Sequence, residues 1–437
     1  MHYTAKIEEA SKMNYLWHLL LLSTMSATTT HALSTSIVVV GLNAALQKRF
    51  ILPPNTNLEP GNVHRAHNSE TGVGGKGQDV GVAMSCLMSK EKQPRDDKVL
   101  LAQFLGMGPE GDAVSGALRL RRGLSDKLTI RNAAPLRTCT TIVGKDCATE
   151  LVETSGEVTE EELKQLGQKV ESLVNDGGMA SGVCIMGSMP PGCGDNTYAQ
   201  LSEKMVGKDT LVLIDSVIGL DALLKTLKTC FESDDREGGA VLKLNAAELC
   251  KLAGADKSEA EKVTIEELTA ATSGFLKKYE CASSALDYLC VTDGKFPGYL
   301  VEVPKESTTE NKINFIQLPA IDISKQVKGG MLYPIGAGDT VAAGTLAAWQ
   351  YLHHEPKAGE DNNFFGVVPK QVGSILSSVK SKWLSDASSD EKSIKMATSF
   401  AFGLSCGSAS CLQQENSVFD VDDAVRYFSE MDSPVIQ

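Results

Sequence analysis

Residues 240–248 read Ala240-Val241-Leu242-Lys243-Leu244-Asn245-Ala246-Ala247-Glu248. A short apolar run passes directly into a polar junction, and small residues beyond it open a helix. Four other runs share this form. Ile37-Val38-Val39-Val40 leads to Gly41-Leu42-Asn43, and Val183-Cys184-Ile185-Met186 leads to Gly187-Ser188. Leu211-Val212-Leu213-Ile214 ends at Asp215, and Tyr288-Leu289-Cys290-Val291 ends at Thr292-Asp293-Gly294. Continuous rather than alternating apolar runs of this length suit strands buried on both faces. Helical patterns lie between them: Thr159 with Glu162, and Thr264 with Glu267, form capping-box pairs ahead of apolar periodicity. Strands alternating with helices predict an α/β fold, a doubly wound and mostly parallel sheet flanked by helices. Ligands bind such sheets beyond the carboxyl ends of the strands, which here carry Asn43, Ser188, Asp215, Asn245 and Thr292.

The rest of the chain fits around that frame. Its 437 residues, 42% hydrophobic and 22% charged, read as one large domain with elaborations over 36–437. Two polar segments, about 49–70 and 131–155, include alternating stretches such as Thr138–Val143 and predict a small β-sheet lid. Residues 353–393 contain acidic, Asn-rich and Ser-rich stretches around a helical pattern at Val368–Leu384, the signature of a surface insertion. Residues 1–35 form a leader: apolar Leu16–Leu22 is too short to span a bilayer, and a Ser/Thr/Ala-rich tract follows. The leader reads either as a signal or transit segment or as a disordered tail. The protein is therefore expected in the cytoplasm, or in an organelle such as a plastid if the leader is a targeting segment. A formal charge of −13 argues against nucleic acid as a partner, though local cations can still hold an anionic substrate. No membrane partner is expected. Eleven cysteines without a CxxC pair point to a reducing compartment rather than a disulfide framework. The seven histidines lack metal-ligand spacing.

Three stretches carry chemistry. In Pro334-Ile335-Gly336-Ala337-Gly338-Asp339-Thr340, glycines permit a tight loop and the small residues after it read as a closely packed helix. N–H groups at such a helix start form an anion site reinforced by the helix dipole. Asp339 is placed to accept a proton from an attacking hydroxyl, or equally to serve as a simple helix cap. Gly72-Val73-Gly74-Gly75-Lys76-Gly77 satisfies GxGxxG but lies some thirty residues after the first strand, and Gly77 denies it the Ser/Thr of a Walker A loop. A third reading makes it a close backbone approach to a hydroxylated substrate, with Lys76 as cation for a substrate phosphate. In the stretch around Asn245, Asn245 and Glu248 are three apart and share a face at a helix start. They suit the ordering of Mg²⁺-bound water, or a plain N-cap with a first-turn acid.

In this order the stretches resemble the ribokinase-like (PfkB) carbohydrate kinase family, in its 1-phosphofructokinase and tagatose-6-phosphate kinase branch. The resemblance runs from about Ser36 to Phe428 apart from the insertion, and Gly187-Ser188-Met189-Pro190-Pro191-Gly192 looks like the family's loop after a central strand. It implies a ribokinase-like fold with ATP and Mg²⁺ as cofactors. Within the catalytic Gly336-Ala337-Gly338-Asp339 signature, Asp339 would be the base and the N–H groups of Ala337, Gly338 and Asp339 the anion hole. Lys243, Asn245, Thr292, Gly294 and Gly298 would contact ATP, the last in a nucleotide loop one residue longer than the family's. Asn245 and Glu248 would hold the metal through water. Asn43, Gln47, Gly75, Lys76, Asp79 and Arg137 would meet the substrate.

Two positions depart from the branch, which has Asp where this chain has Gln47 and Asn where it has Asp79. Hydrogen-bond polarity at the sugar is thereby altered. The expected activity is ATP-dependent phosphorylation of a sugar-phosphate hydroxyl, because Lys76 and Arg137 are both present as phosphate-meeting cations. Phosphorylation of a free sugar or nucleoside is the alternative that Gln47 and Asp79 keep open. A catalytically silent sugar-binding sensor is a third reading, opposed by the intact Asp339, Asn245 and Glu248. Unpaired lid edges also make a homodimer through the lid an expectation.

Overall fold

The computed structural model describes residues 36–88, 98–145, 148–233, 235–258, 260–305, 313–327, 332–355, 366–386 and 390–437. The expected leader lies outside the described residues. The chain opens with β1 (Ile37–Asn43), β2 (Ala45–Ile51), β3 (Asn68–Gly74), α1 (Lys76–Leu87), β4 (Val99–Met107), α2 (Pro109–Gly116) and β5 (Thr129–Pro135). Then come β6 (Thr138–Val143), β7 (Ala148–Val152), α3 (Glu160–Gly177), β8 (Gly182–Met186), α4 (Thr197–Met205), β9 (Leu211–Asp215) and α5 (Leu220–Cys230). β10 (Gly239–Asn245), α6 (Ala246–Leu252), α7 (Ile265–Lys278), α8 (Ala282–Ala285), β11 (Tyr288–Thr292), β12 (Gly298–Glu302) and β13 (Phe315–Leu318) follow. The C-terminal part is helical, with α9 (Ala337–His353), α10 (Lys370–Asp386), α11 (Glu391–Ser410) and α12 (Val421–Ser429), closed by β14 (Val435–Ile436).

Ten strands form one sheet in the order β14-β13-β12-β11-β10-β9-β8-β1-β4-β5. From β11 to β5 every pairing is parallel, and β12, β13 and β14 extend the β11 edge antiparallel. The five runs read from sequence are β1 and β8 to β11, the centre of this sheet. Their burial on both faces follows from two separate apolar layers. Val39, Cys184 and Leu213 face α1, α9 and α11, while Val40, Ile185 and Ile214 face α3 to α8. Register then decides where function sits: Met186 pairs with Asp215 and Asn245 with Thr292, so the polar residues that end these strands share one edge.

Four strands in the order β3-β2-β6-β7 make a second, smaller sheet. The chain leaves β1 at Asn43 and enters β2 at Ala45, so this lid begins before residue 49, and residues 131–135 belong instead to β5 at the main sheet's edge. Alternating burial along Ala45–Ile51, with Ala45, Gln47, Arg49 and Ile51 inward, marks β2 as a strand with one covered face. Within 353–393, residues 356–365 and 387–389 lie outside the described residues, but the expected helix is present as α10. It is built into the body: Val372, Leu376 and Trp383 are buried, and Trp383 meets the ring of Phe428 at 6.2 Å. Among the described residues no helix is long and apolar enough to cross a membrane.

The small-residue helix α9 packs on α11 as closely as its composition predicts. A Cβ on Gly403 would lie 2.5 Å from the Val341 carbonyl oxygen, and one on Gly344 would lie 3.0 Å from the Gly403 Cα. Such contact is open only to glycine, and it holds α9 tightly against α11.

Candidate active site

The loop before α9 turns through Gly336 at φ +83°, a left-handed conformation, and a Cβ there would meet the Ser417 Oγ at 2.4 Å. Both constraints select glycine. The Ser417 hydroxyl in turn donates to the Gly336 carbonyl at 3.0 Å, fastening the loop to the segment after α11. Of the N–H groups at the helix start, that of Ala337 is engaged by the Pro334 carbonyl at 3.1 Å. Of the three N–H groups expected to form an anion hole, this leaves Gly338 and Asp339, for which a helix supplies no internal partner. Asp339, in the first turn of α9, is 9% exposed. Burial raises its carboxyl to about 7; Lys76 and Lys243 oppose this, and the charges of Asp215 and Glu248 add to it. A helix cap needs no such surroundings, and the N-cap position of α9 is occupied by Gly336 rather than by Asp339.

Lys76 and Lys243 converge on one carboxylate. Lys76 Nζ donates to Asp215 Oδ1 at 2.8 Å, and Lys243 Nζ donates to Asp215 Oδ2 at 2.8 Å. Burial alone would raise the Asp215 carboxyl, but Lys243 and then Lys76 outweigh it and hold it below the ordinary carboxylate value. Lys76 is half open to the cleft, its side chain 45% exposed; enclosure by the cleft walls works against its charge, yet Asp215 and Asp339 hold it above the usual lysine value. Lys243 is buried, and a Cβ on Gly338 would lie 3.6 Å from its Nζ. Its ammonium therefore sits beside the start of α9.

The surrounding cleft has a volume of about 300 Å³, with Asn43, Arg137, Ser188, Val217, Ile218 and Glu248 among its walls. Its floor is set by two glycines in contact: a Cβ on Gly41 would fall 2.4 Å from the Gly77 Cα, so α1 seats directly on β1 and delivers Lys76 to the sheet edge. Gly75 precedes that helix at φ +102°, where a Cβ would strike the Gln78 Oε1 at 2.4 Å. Asn43 donates to Ser188 Oγ at 3.0 Å and accepts from Ser155 Oγ at 2.7 Å. Arg137 donates to the backbone carbonyls of Asn43 at 2.9 Å and Ala44 at 3.3 Å, a brace between lid and sheet.

Asn245 and Glu248 form a capping box at the start of α6. Glu248 N–H donates to Asn245 Oδ1 at 2.7 Å, and Asn245 N–H donates to Glu248 Oε2 at 2.9 Å. Glu248 also lines the cleft. Thr292 stands beside Asn245 across the β10–β11 pairing, and Gly294 turns the following loop at φ +60°. Gly298 lies apart: it begins β12, and a Cβ there would meet Leu404 at 2.9 Å under α11. Gln47, on β2 of the small sheet, and Asp79, in α1, are both buried. Gln47 donates to Thr141 Oγ1 at 2.6 Å within the lid, whereas one oxygen of Asp79 is buried with no partner. Burial, then the nearby Asp339 charge, raises Asp79 well above the ordinary carboxylate value.

Two groups escaped the sequence reading. Asp215 was legible only as a strand-end residue, although a carboxylate directly after a buried apolar run needs cationic partners. Arg49 is 4% exposed and links Glu70, at 3.7 Å, to a hydrogen bond with Asn416. Arg49 and Asn416 lie 367 positions apart, and no local pattern announces the pairing. Among the described residues, no group of three or more His, Cys, Asp or Glu side chains is arranged to hold a metal ion directly.

The arrangement defines the class of fold. The chain is similar to the phosphofructokinase-2 of Escherichia coli in complex with substrates and products, at a TM-score of 0.58 and 17% identity over 90% of this chain and 98% of that one. It is also similar to the ribokinase of Arabidopsis thaliana complexed with ribose and ATP, at a TM-score of 0.54 and 15% identity over 90% and 98%. The fold is therefore ribokinase-like, an α/β sheet flanked by helices with a small second sheet. No protein-family model matches the sequence.

Proposed function

We propose that this protein is an ATP-dependent kinase whose acceptor is a hydroxyl of a sugar phosphate, in the manner of the 1-phosphofructokinase and tagatose-6-phosphate kinase branch. The observation that carries the reading is Asp339: a buried carboxylate at a helix start, raised to about 7, facing two lysines. A general base works best with a pKa near the operating pH. Solved relatives of this fold are described with substrates and products, and with ribose and ATP, which supports the choice of reactants.

The donor set suits nucleotide phosphates. N–H groups of Gly338 and Asp339 and the Lys243 ammonium meet at the start of α9, where a Cβ on Gly338 would lie 3.6 Å from the Lys243 Nζ. Glu248 at the cleft wall suits a hydrated Mg²⁺, which keeps most of its waters beside phosphates. When bound, Mg·ATP supplies the phosphoryl group and part of the charge neutralisation. Asp339 takes the proton from the acceptor hydroxyl. Lys243 and the helix N–H groups oppose the negative charge that develops on the transferring group, and need no reorganisation to do so. Asn43, Lys76, Asp79 and Arg137 surround the acceptor, with the lid above, whose outer strands β3 and β7 are the surfaces for a homodimer.

One observation favours a second reading, a kinase for a free sugar or nucleoside. Lys76 is engaged by Asp215 and Arg137 by two carbonyls, so neither cation is uncommitted in this structure. The purified protein with Mg·ATP and a panel of hexose phosphates, free sugars and nucleosides, followed by ADP release, separates the two. Turnover confined to hexose phosphates supports the first reading, and turnover confined to unphosphorylated acceptors replaces it with the second.

A further inference from the structure

We infer that Asp215 is a positioning residue of the transfer reaction, whose two oxygens hold Lys76 and Lys243 in place as a preset pair of cations beside Asp339. The inference rests on the kinase reading above. Each oxygen accepts from one lysine at 2.8 Å, and the carboxylate is 5% exposed at the tip of β9. The two lysines come from different elements, one at the first residue of α1 and one within β10, and Asp215 joins them.

A carboxylate placed only to neutralise a buried lysine needs one partner. Lys243 already supplies it, with its side chain 6% exposed. The second pairing takes a half-exposed lysine and draws it back to the cleft floor, against the tendency of a long side chain to extend into water. Room for this comes from Gly187, where a Cβ would press on the Lys76 Cβ at 3.1 Å. The result is one surplus positive charge fixed at the place where a phosphoryl group must pass. Lysine is a flexible point charge, so holding it in advance removes rotamer freedom that would otherwise be lost in the transition state. Without Asp215 the two ammonium groups repel one another, and Lys76 is free to swing out of the cleft.

The charged groups around Asp339 are Lys76, Lys243, Asp215, Glu248 and Asp79. In Asp215→Asn kcat falls about 100-fold, and KM for the acceptor rises as Lys76 is no longer held in the cleft. A readout independent of turnover is acylation of the intact protein with acetic anhydride at pH 9, followed by peptide mass spectrometry. Lys76 is expected to label more slowly than the exposed Lys164 in the natural protein. In Asp215→Asn it should speed up about tenfold for each pKa unit released.

Retained kcat in Asp215→Asn, or labelling of Lys76 no faster in that variant than in the natural protein, overturns the inference. If the natural protein turns over no acceptor, the kinase reading fails, and the labelling alone decides whether Asp215 governs Lys76. If Asp215→Asn does not fold, the natural protein still provides the test. Labelling of Lys76 as fast as Lys164 overturns the pairing, and protection of Lys76 up to pH 10 supports it.

Discussion

Replacing Asp339 by Asn should make the protein more stable while abolishing turnover. The carboxyl is raised from its ordinary 3.8 to about 7 when the chain folds. An acid with a folded-state pKa above its unfolded value destabilises when ionised. No penalty exists below pH 3.8; it grows between the two values and is complete above 7. The displacement corresponds to about 4 kcal/mol at pH 8 and under about 2 kcal/mol at pH 5. Those figures are ceilings, since Lys76 and Lys243 lose an attractive partner in the variant. An unfolding entropy of about 2 cal/mol/K per residue over about 400 residues converts the larger value to a rise of about 5 °C in Tm at pH 8. Calorimetric melts of both proteins from pH 5 to 8 provide the assay. A variant no more stable at pH 8 than the natural protein, or a gain that does not shrink toward pH 5, refutes the reasoning.

Three further outcomes follow from the same geometry. The acid limb of kcat/KM should have its midpoint near pH 7, with activity lost as pH falls and Asp339 protonates; a limb below pH 5.5 would remove Asp339 as the base. Glu248→Gln keeps a side chain that serves a capping box, so Tm should stay within about 2 °C while the Mg²⁺ needed for half-maximal turnover rises at least about 10-fold. An equal Mg²⁺ requirement would leave Glu248 a helix cap and nothing more. Gly41→Ala puts a Cβ 2.4 Å from the Gly77 Cα and should lose about 3 kcal/mol in denaturant titration, with acceptor KM raised through displaced Lys76.

The sheet's centre was legible because a strand buried on both faces must be apolar throughout, as Val39 and Val40 are. Val99–Ala102 of β4 starts the same kind of run, but Gln103 interrupts it and no polar strand-end residue draws attention to it. β12 to β14 lie on the antiparallel edge, two of them only four and two residues long, too brief for a periodic signal. At the site, local chemistry was readable: the turn at Gly336, the capping partners Asn245 and Glu248, and the lysine opening α1. What could not be read was long-range pairing. Asp215 joins Lys76 across 139 positions, and Arg49 reaches Asn416 only after the whole sheet has formed. Burial also supplied what sequence could not, a reason for Asp339 to hold its proton near neutrality rather than cap a helix.

The kinase account turns on whether a phosphoryl group leaves ATP for a sugar phosphate through Asp339. Full-length protein incubated with Mg²⁺, γ-labelled ATP and hexose monophosphates, with products separated by charge, measures that directly. The account predicts label in a hexose bisphosphate for the natural protein and none above background for Asp339→Asn. Label released only as inorganic phosphate, or equal bisphosphate from both proteins, contradicts it.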